Sequence, residues 1–165
     1  MDVQIPHFQG QVGEPPDCSK CPLRYKKKVY PEGPIPARIA LVGESPGYYE
    51  ERQGRPFVGA SGQLLWEQLG PASGLIREEV WVTNVLLCAA SDVRLETGAK
   101  LPKKTVIKLA AECCRARLIS ELKIIKPEVI IPVGADALQA VTGVAKPSIK
   151  AYRGSILQVD LQAMV

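Results

Sequence analysis

The 165-residue chain holds a single histidine, two phenylalanines, two tryptophans and two methionines. It has no apolar run of the roughly 18 residues that a membrane-spanning helix needs, so no bilayer span is expected. The opening residues, MDVQIPHFQG, have neither a basic leader nor a long apolar core, which argues against a secretory signal. No Gly-Lys-Ser or Gly-Lys-Thr follows a glycine-rich loop, and this excludes a Walker phosphate cradle. There is no internal repeat and no low-complexity tract. The one dense basic run is Lys26-Lys27-Lys28, and a net charge of +4 permits contact with a polyanion without requiring it.

Apolar residues make up 46% and charged residues 23% of the chain, a globular balance in a length that suits one domain. With no secretory signal, the five cysteines are expected in a reducing, cytoplasmic compartment. There, thiolate ligands or free thiols are favoured over disulfides.

Residues 1–35 are rich in Pro, Gly and charge, with PPDCSKCPL as their ordered-looking feature, and form an N-terminal segment. From 36 to 165 the texture alternates. ARIALVGE, EVWVTNVLL and EVIIPVG read as buried strands, and GSILQVD as a fourth. SGQLLWEQLG, with Ser61 as its cap, and ADALQAVTG read as helices. KKTVIKLAAECCRARLISELKII places Val106, Ile107, Ala110, Cys114, Leu118 and Leu122 on one helical face. SDVRLETGAKLP is a polar loop. Strands alternating with helices predict a three-layer α/β/α fold around a mainly parallel four-stranded sheet.

Ligands of open α/β sheets sit beyond the carboxyl ends of the strands. Two of these ends carry polar groups. Glu44 closes the first strand before the Pro46-Gly47 turn, where a carboxylate either orients a water or ligand or serves as a loop acid. Asn84 ends an otherwise apolar strand, and its amide offers both donor and acceptor to a planar edge, or shapes a turn. Between them, Val42–Leu65 contains five glycines and Phe57, which either stacks on a planar ligand or plugs the sheet edge. So many glycines beside apolar residues suggest that something approaches this backbone closely. Cys18-x-x-Cys21, Cys88 and the pair Cys113-Cys114 suit a tetrahedral zinc or an iron–sulfur cluster, or fill the core as small apolar residues.

GESPGYYEERQGRPFVGASGQLL, VTNVLLC, the N-terminal CxxC-Pro-Leu and IKPEVIIPVGADAL together resemble the family-four uracil-DNA glycosylases, from about Cys18 to Gly154. The resemblance implies a uracil-DNA glycosylase-like fold and hydrolysis of the N-glycosidic bond of uracil in single- or double-stranded DNA, as in base excision repair. It makes Glu44 the acid near the sugar and Phe57 the ring that stacks on uracil. Asn84 becomes the amide that binds the uracil edge, and Ser45 stands where the family's first motif commonly has a small apolar residue. It further implies a [4Fe-4S] cluster, with zinc as the alternative, on Cys18, Cys21, Cys88 and Cys114. Cys114 is preferred to Cys113 because its distance to Leu118 and Pro127 fits the family's register. Arg24, Lys26, Lys27 and Lys28 would then face phosphates, and a monomer is implied.

The family's His-Pro-Ser segment has no counterpart here, since the sole histidine is His7 and YRGSILQVDLQAMV leaves no room for it. The chain thus reads as C-terminally truncated relative to that pattern. The alternative is a non-catalytic glycosylase-like module that binds DNA, a DNA polymerase or another replication protein.

Overall fold

The computed structural model describes residues 6–164; residues 1–5 of the N-terminal segment and Val165 lie outside it. Five strands form one sheet: β1 (Phe8–Gln9), β2 (Glu32–Gly33), β3 (Ile39–Gly43), β4 (Val80–Asn84) and β7 (Val129–Pro132), in the order β1-β2-β4-β3-β7. A separate hairpin pairs β5 (Val93–Arg94) with β6 (Lys100–Leu101). The helices are α1 (Tyr48–Gln53), α2 (Ala60–Ser73), α3 (Lys103–Ile125), α4 (Ala135–Thr142) and α5 (Ile149–Tyr152).

Strand β3 is central and parallel to both neighbours, with Gly43 opposite Asn84 and Val42 opposite Pro132. Its apolar run is buried because helices cover both faces. Alternation along the strands sorts the side chains. Ala40, Val42 and Trp81 join Val106, Ala110, Cys114, Leu118 and Leu122 of α3 and Ala137 and Val141 of α4. Leu41, Val80 and Val82 face the other way, toward Leu65 and Trp66 of α2. A buried Val or Leu contributes about 1.5–3 kcal/mol, so the α3 and α4 side supplies most of the apolar stabilisation.

The three-layer fold with a mainly parallel core is the expected one; the details of the sheet differ. Two two-residue antiparallel strands, β1 and β2, extend it on one side. GSILQVD forms no strand. It runs past β7 without pairing, with Ile156 fully exposed, so β7 is the sheet edge instead of a buried strand. A groove of about 610 Å³ lies there, lined by β7, α4 and α5 and by Leu157 and Val159. The polar loop contains the β5–β6 hairpin. Ser61 lies inside α2 and does not cap it. The cap is Gly59, whose N–H donates to Glu50 Oε1 at 3.0 Å, so a carboxylate meets the positive end of the helix dipole. Among the described residues no helix is long and apolar enough to cross a membrane.

Candidate functional site

Because β3 and β4 run parallel, they deliver Glu44 and Asn84 to the same end of the sheet. Past the strands, Val85 N–H donates to Gly43 O (2.8 Å), Leu86 N–H to Glu44 O (2.9 Å) and Val133 N–H to Val42 O (2.8 Å). Three strand ends are thereby tied together. Phe57 reaches them from the loop between α1 and α2. A Cβ on Gly43 would stand 2.5 Å from Phe57 Cζ and collide with Asn84 Oδ1. A glycine at that position therefore lets an aromatic ring and a carboxamide close on one point. The same holds behind the ring, where a Cβ on Gly62 would run into the Phe57 backbone.

Asn84 is 4% exposed, yet its side chain makes no hydrogen bond among the described residues. Its amide atoms are not among the sealed polar atoms without a partner, which are Trp66 Nε1 and Arg117 Nε, so they keep access to the space beyond the strand ends and stay open to a ligand edge with matching groups. Glu44 is half-buried. Burial, then a hydrogen bond and like charge from Asp136, push its carboxyl above the usual range, and Lys103 opposes the shift. Asp136 reaches Glu44 because β7 ends beside β3. Ser45 is half-buried in the turn between β3 and α1.

Phe57 has φ +53°, a left-handed conformation that is strained for a bulky residue. Arg77 secures it, with Nη1 donating to Phe57 O at 2.8 Å and Nη2 donating to Pro56 O. Buried Glu32 on β2 fixes Arg77 in turn and also receives Arg55 in a two-pronged pair at 2.9 Å. Burial works against ionisation of Glu32, but hydrogen bonds from Arg55 and Arg77 outweigh it and hold the carboxyl below its ordinary range. His7 Nε2 lies 3.9 Å from the same carboxylate.

Beneath Asn84, α3 inserts a fully buried Arg117. Its Nη2 donates to Asn84 O and Val85 O, both at 2.7 Å, and its Nη1 donates to Glu121 Oε2 at 2.7 Å and Thr83 Oγ1 at 3.2 Å. Trp81 Nε1 donates to Glu121 Oε1 at 2.8 Å. The network pins the end of β4 that carries Asn84. Sequence reading missed Glu32, Arg77, Arg117, Glu121 and Asp136. For two of them a signal exists: Arg117 and Glu121 are opposite charges four residues apart on the stripe of Cys114 and Leu118, where apolar residues belong.

The cysteines come together from three segments. Val29 N–H donates to Leu87 O at 2.7 Å, Lys28 bridges to Cys88, and Asp17 N–H donates to Cys113 O at 3.0 Å. All five thiols are free, and Cys21, Cys88 and Cys114 are buried. Burial pushes Cys88 up to about 11, and neighbouring Cys114, Cys21 and Cys18 add to the shift. Cys113 is also raised to about 11, by burial first and then by Cys21. Among the described residues no three His, Cys, Asp or Glu side chains stand close enough for one metal ion. Cys18, Cys21, Cys88 and Cys114 come from three separate segments and offer sulfur alone, a donor type suited to thiolate ligation of iron or zinc. Arg24, Lys26 and Lys27 are exposed just beyond the first two thiols, and Lys28 is half-buried.

The family model of the uracil DNA glycosylase superfamily matches residues 30–162. The chain is 38% identical over 140 residues to a type-4 uracil-DNA glycosylase of Thermotoga maritima, covering 84% of this chain and 67% of that protein. It is 36% identical to one of Pyrobaculum aerophilum, over 90% of this chain and 76% of the relative. It is 35% identical to one of Archaeoglobus fulgidus, over 90% and 72%. A matched span that includes both strand ends, the Phe57 loop and the β7 end places this chain in the uracil-DNA glycosylase superfamily.

Proposed function

We propose that this chain hydrolyses the N-glycosidic bond of uracil in DNA. The observation that carries the reading is the unpartnered Asn84 amide packed beside the Phe57 ring over Gly43 at the strand ends. A uracil flipped out of the stack is flat and presents alternating acceptors and donors. The ring supplies a stacking face and the amide supplies matching groups. As the bond breaks, negative charge builds on the base, and the Asn84 N–H donors face it from a rigid strand end. Glu44 beside the sugar orients the attacking water, and once ionised it supports positive charge on the sugar. Ser45 lines the same turn.

Cys18, Cys21, Cys88 and Cys114 would hold a [4Fe-4S] cluster. When bound, it ties the N-terminal segment to α3 and the end of β4; no step of the hydrolysis requires it. Arg24 and Lys26 to Lys28 would face phosphates next to it. The one histidine, His7, is placed against Glu32.

The test is excision from a uracil-containing single-stranded oligonucleotide by anaerobically purified protein, read as alkaline cleavage at the abasic site. Cleavage at uracil that falls at least about 100-fold in Asn84→Ala supports the reading. No cleavage with enzyme in excess over substrate would overturn it.

A further inference from the structure

Three exposed tyrosines lie on α1 and on the loop that Lys27 ties to its end, and the chemistry described above uses none of them. Tyr25 is 89% exposed, Tyr48 63% and Tyr49 58%. Large aromatic side chains left in water lose the stabilisation of burial, so three in one region ask for an occupant. Two of them carry a guanidinium against the ring. The Arg24 guanidinium sits 4.7 Å from the Tyr25 ring centre, and that of Arg52 sits 5.5 Å from Tyr48. Tyr48 and Tyr49 form an edge-on pair with centres 5.4 Å apart.

The two segments meet. Lys27 Nζ donates to Arg52 O at 3.4 Å, which fastens the Arg24–Lys28 loop to the end of α1. Helix α1 itself joins the Glu44 turn to the Phe57 loop, so the patch adjoins the pocket. Its exposed charge is positive, from Arg24, Lys26, Lys27 and Arg52. Of the nearby acids, Glu50 is turned onto the Gly59 N–H, Glu51 is half-buried, and Glu96 lies near Arg24.

We infer that Tyr25, Tyr48 and Tyr49, with Arg24, Lys26, Lys27 and Arg52, form a stacking platform for single-stranded DNA flanking the flipped nucleotide. The inference rests on the glycosylase reading for what occupies the pocket. A ring with a guanidinium on one face keeps its other face for a base, and the cations follow the phosphates. Paired bases hide their faces inside the duplex, so the platform selects unpaired strands, whereas bare positive charge would bind both forms.

Binding of a fluorescein-labelled 12-residue thymidine oligonucleotide without uracil tests this, with a duplex and an RNA of equal length as comparisons. Tyr48→Leu, Tyr49→Leu and Tyr25→Leu are each expected to weaken single-strand binding by about 5- to 100-fold, the range for loss of one stacked base. Duplex binding should change by less than about twofold, and each Tyr→Phe variant should bind like wild type. Equal losses in the Phe and Leu variants, equal losses on the duplex, no change at all, or tighter binding of the RNA would overturn the platform. The oligonucleotide contains no uracil, so a failure of excision leaves this result standing, and the reverse holds too.

Discussion

The Arg77 guanidinium donates to the carbonyl oxygen of Phe57 at 2.8 Å, so a side chain after α2 governs the backbone of a loop before it. That bond, with the partner bond to Pro56 O, offsets the strain of the left-handed Phe57 conformation and aims its ring at Gly43.

Arg77→Met removes both carbonyl bonds and one of the two guanidinium partners of buried Glu32. A stability loss of about 2–3 kcal/mol is expected, short of the full cost of an orphaned buried charge because Arg55 remains. Arg55→Met, at the exposed end of the same triad, should lose about 1 kcal/mol or less. Urea midpoints with unchanged slopes check the ranking, and equal losses would refute it.

Glu32 titrates below its ordinary value of 4.5 in the folded protein. A depressed acid contributes stability above its unfolded pKa and loses it as pH falls through the folded one. Glu32→Gln should therefore be less stable than wild type at pH 7, with the gap narrowing below about pH 4.5. A gap independent of pH between 3 and 7 would contradict the ion pairing.

Arg117→Met leaves Glu121 buried and unpaired at 0% exposure, so a loss of about 3–5 kcal/mol is expected. Replacing both with methionine should cost less than the single change, because an apolar pair needs no charge desolvation. Thermal or urea unfolding of the three proteins decides it. A double variant as unstable as the sum of the two single variants would refute the coupling.

Burial, and then a hydrogen bond and like charge from Asp136, raise the Glu44 carboxyl pKa. Asp136→Asn removes the charge, so Glu44 should lose its proton at lower pH. If Glu44 works as the ionised group, the acidic limb of the excision pH profile moves to lower pH while the high-pH plateau stays. An unmoved limb would separate Glu44 ionisation from the rate.

Cys114 is buried on α3 near Cys88, Cys21 and Cys18, and Cys113, half-buried, hydrogen-bonds Cys21. Cys114→Ser should reduce iron content and the brown absorbance near about 400 nm, while Cys113→Ser keeps both. Bound zinc without iron, or the reverse order of the two variants, would overturn this ligand set.

Much of the site is local enough to read along the chain. The glycine-rich motif around Phe57, the polar residues closing two apolar strands and the CxxC are each written in consecutive residues, and the fold class follows from the alternation of elements. Strand pairing is less local. GSILQVD has strand composition but makes no ladder beside β7, and EVIIPVG looks buried by composition while the sheet leaves it at the edge. Whether an apolar segment gains a partner depends on what lies next to it in space.

The sequence by itself determined which residues are on offer for the proposed chemistry, because acid, amide, ring and thiols are fixed by residue type wherever the chain goes. Only the tertiary structure decided what holds them. Glu32 meets Arg77 across 45 residues, Arg117 meets Asn84 across 33, and Asp136 reaches Glu44 from a third strand end. Such pairings arise when sheet topology brings distant segments into a low-dielectric interior. There an unpaired charge is costly, so each must find its partner, and no periodicity along the chain records which partner that is.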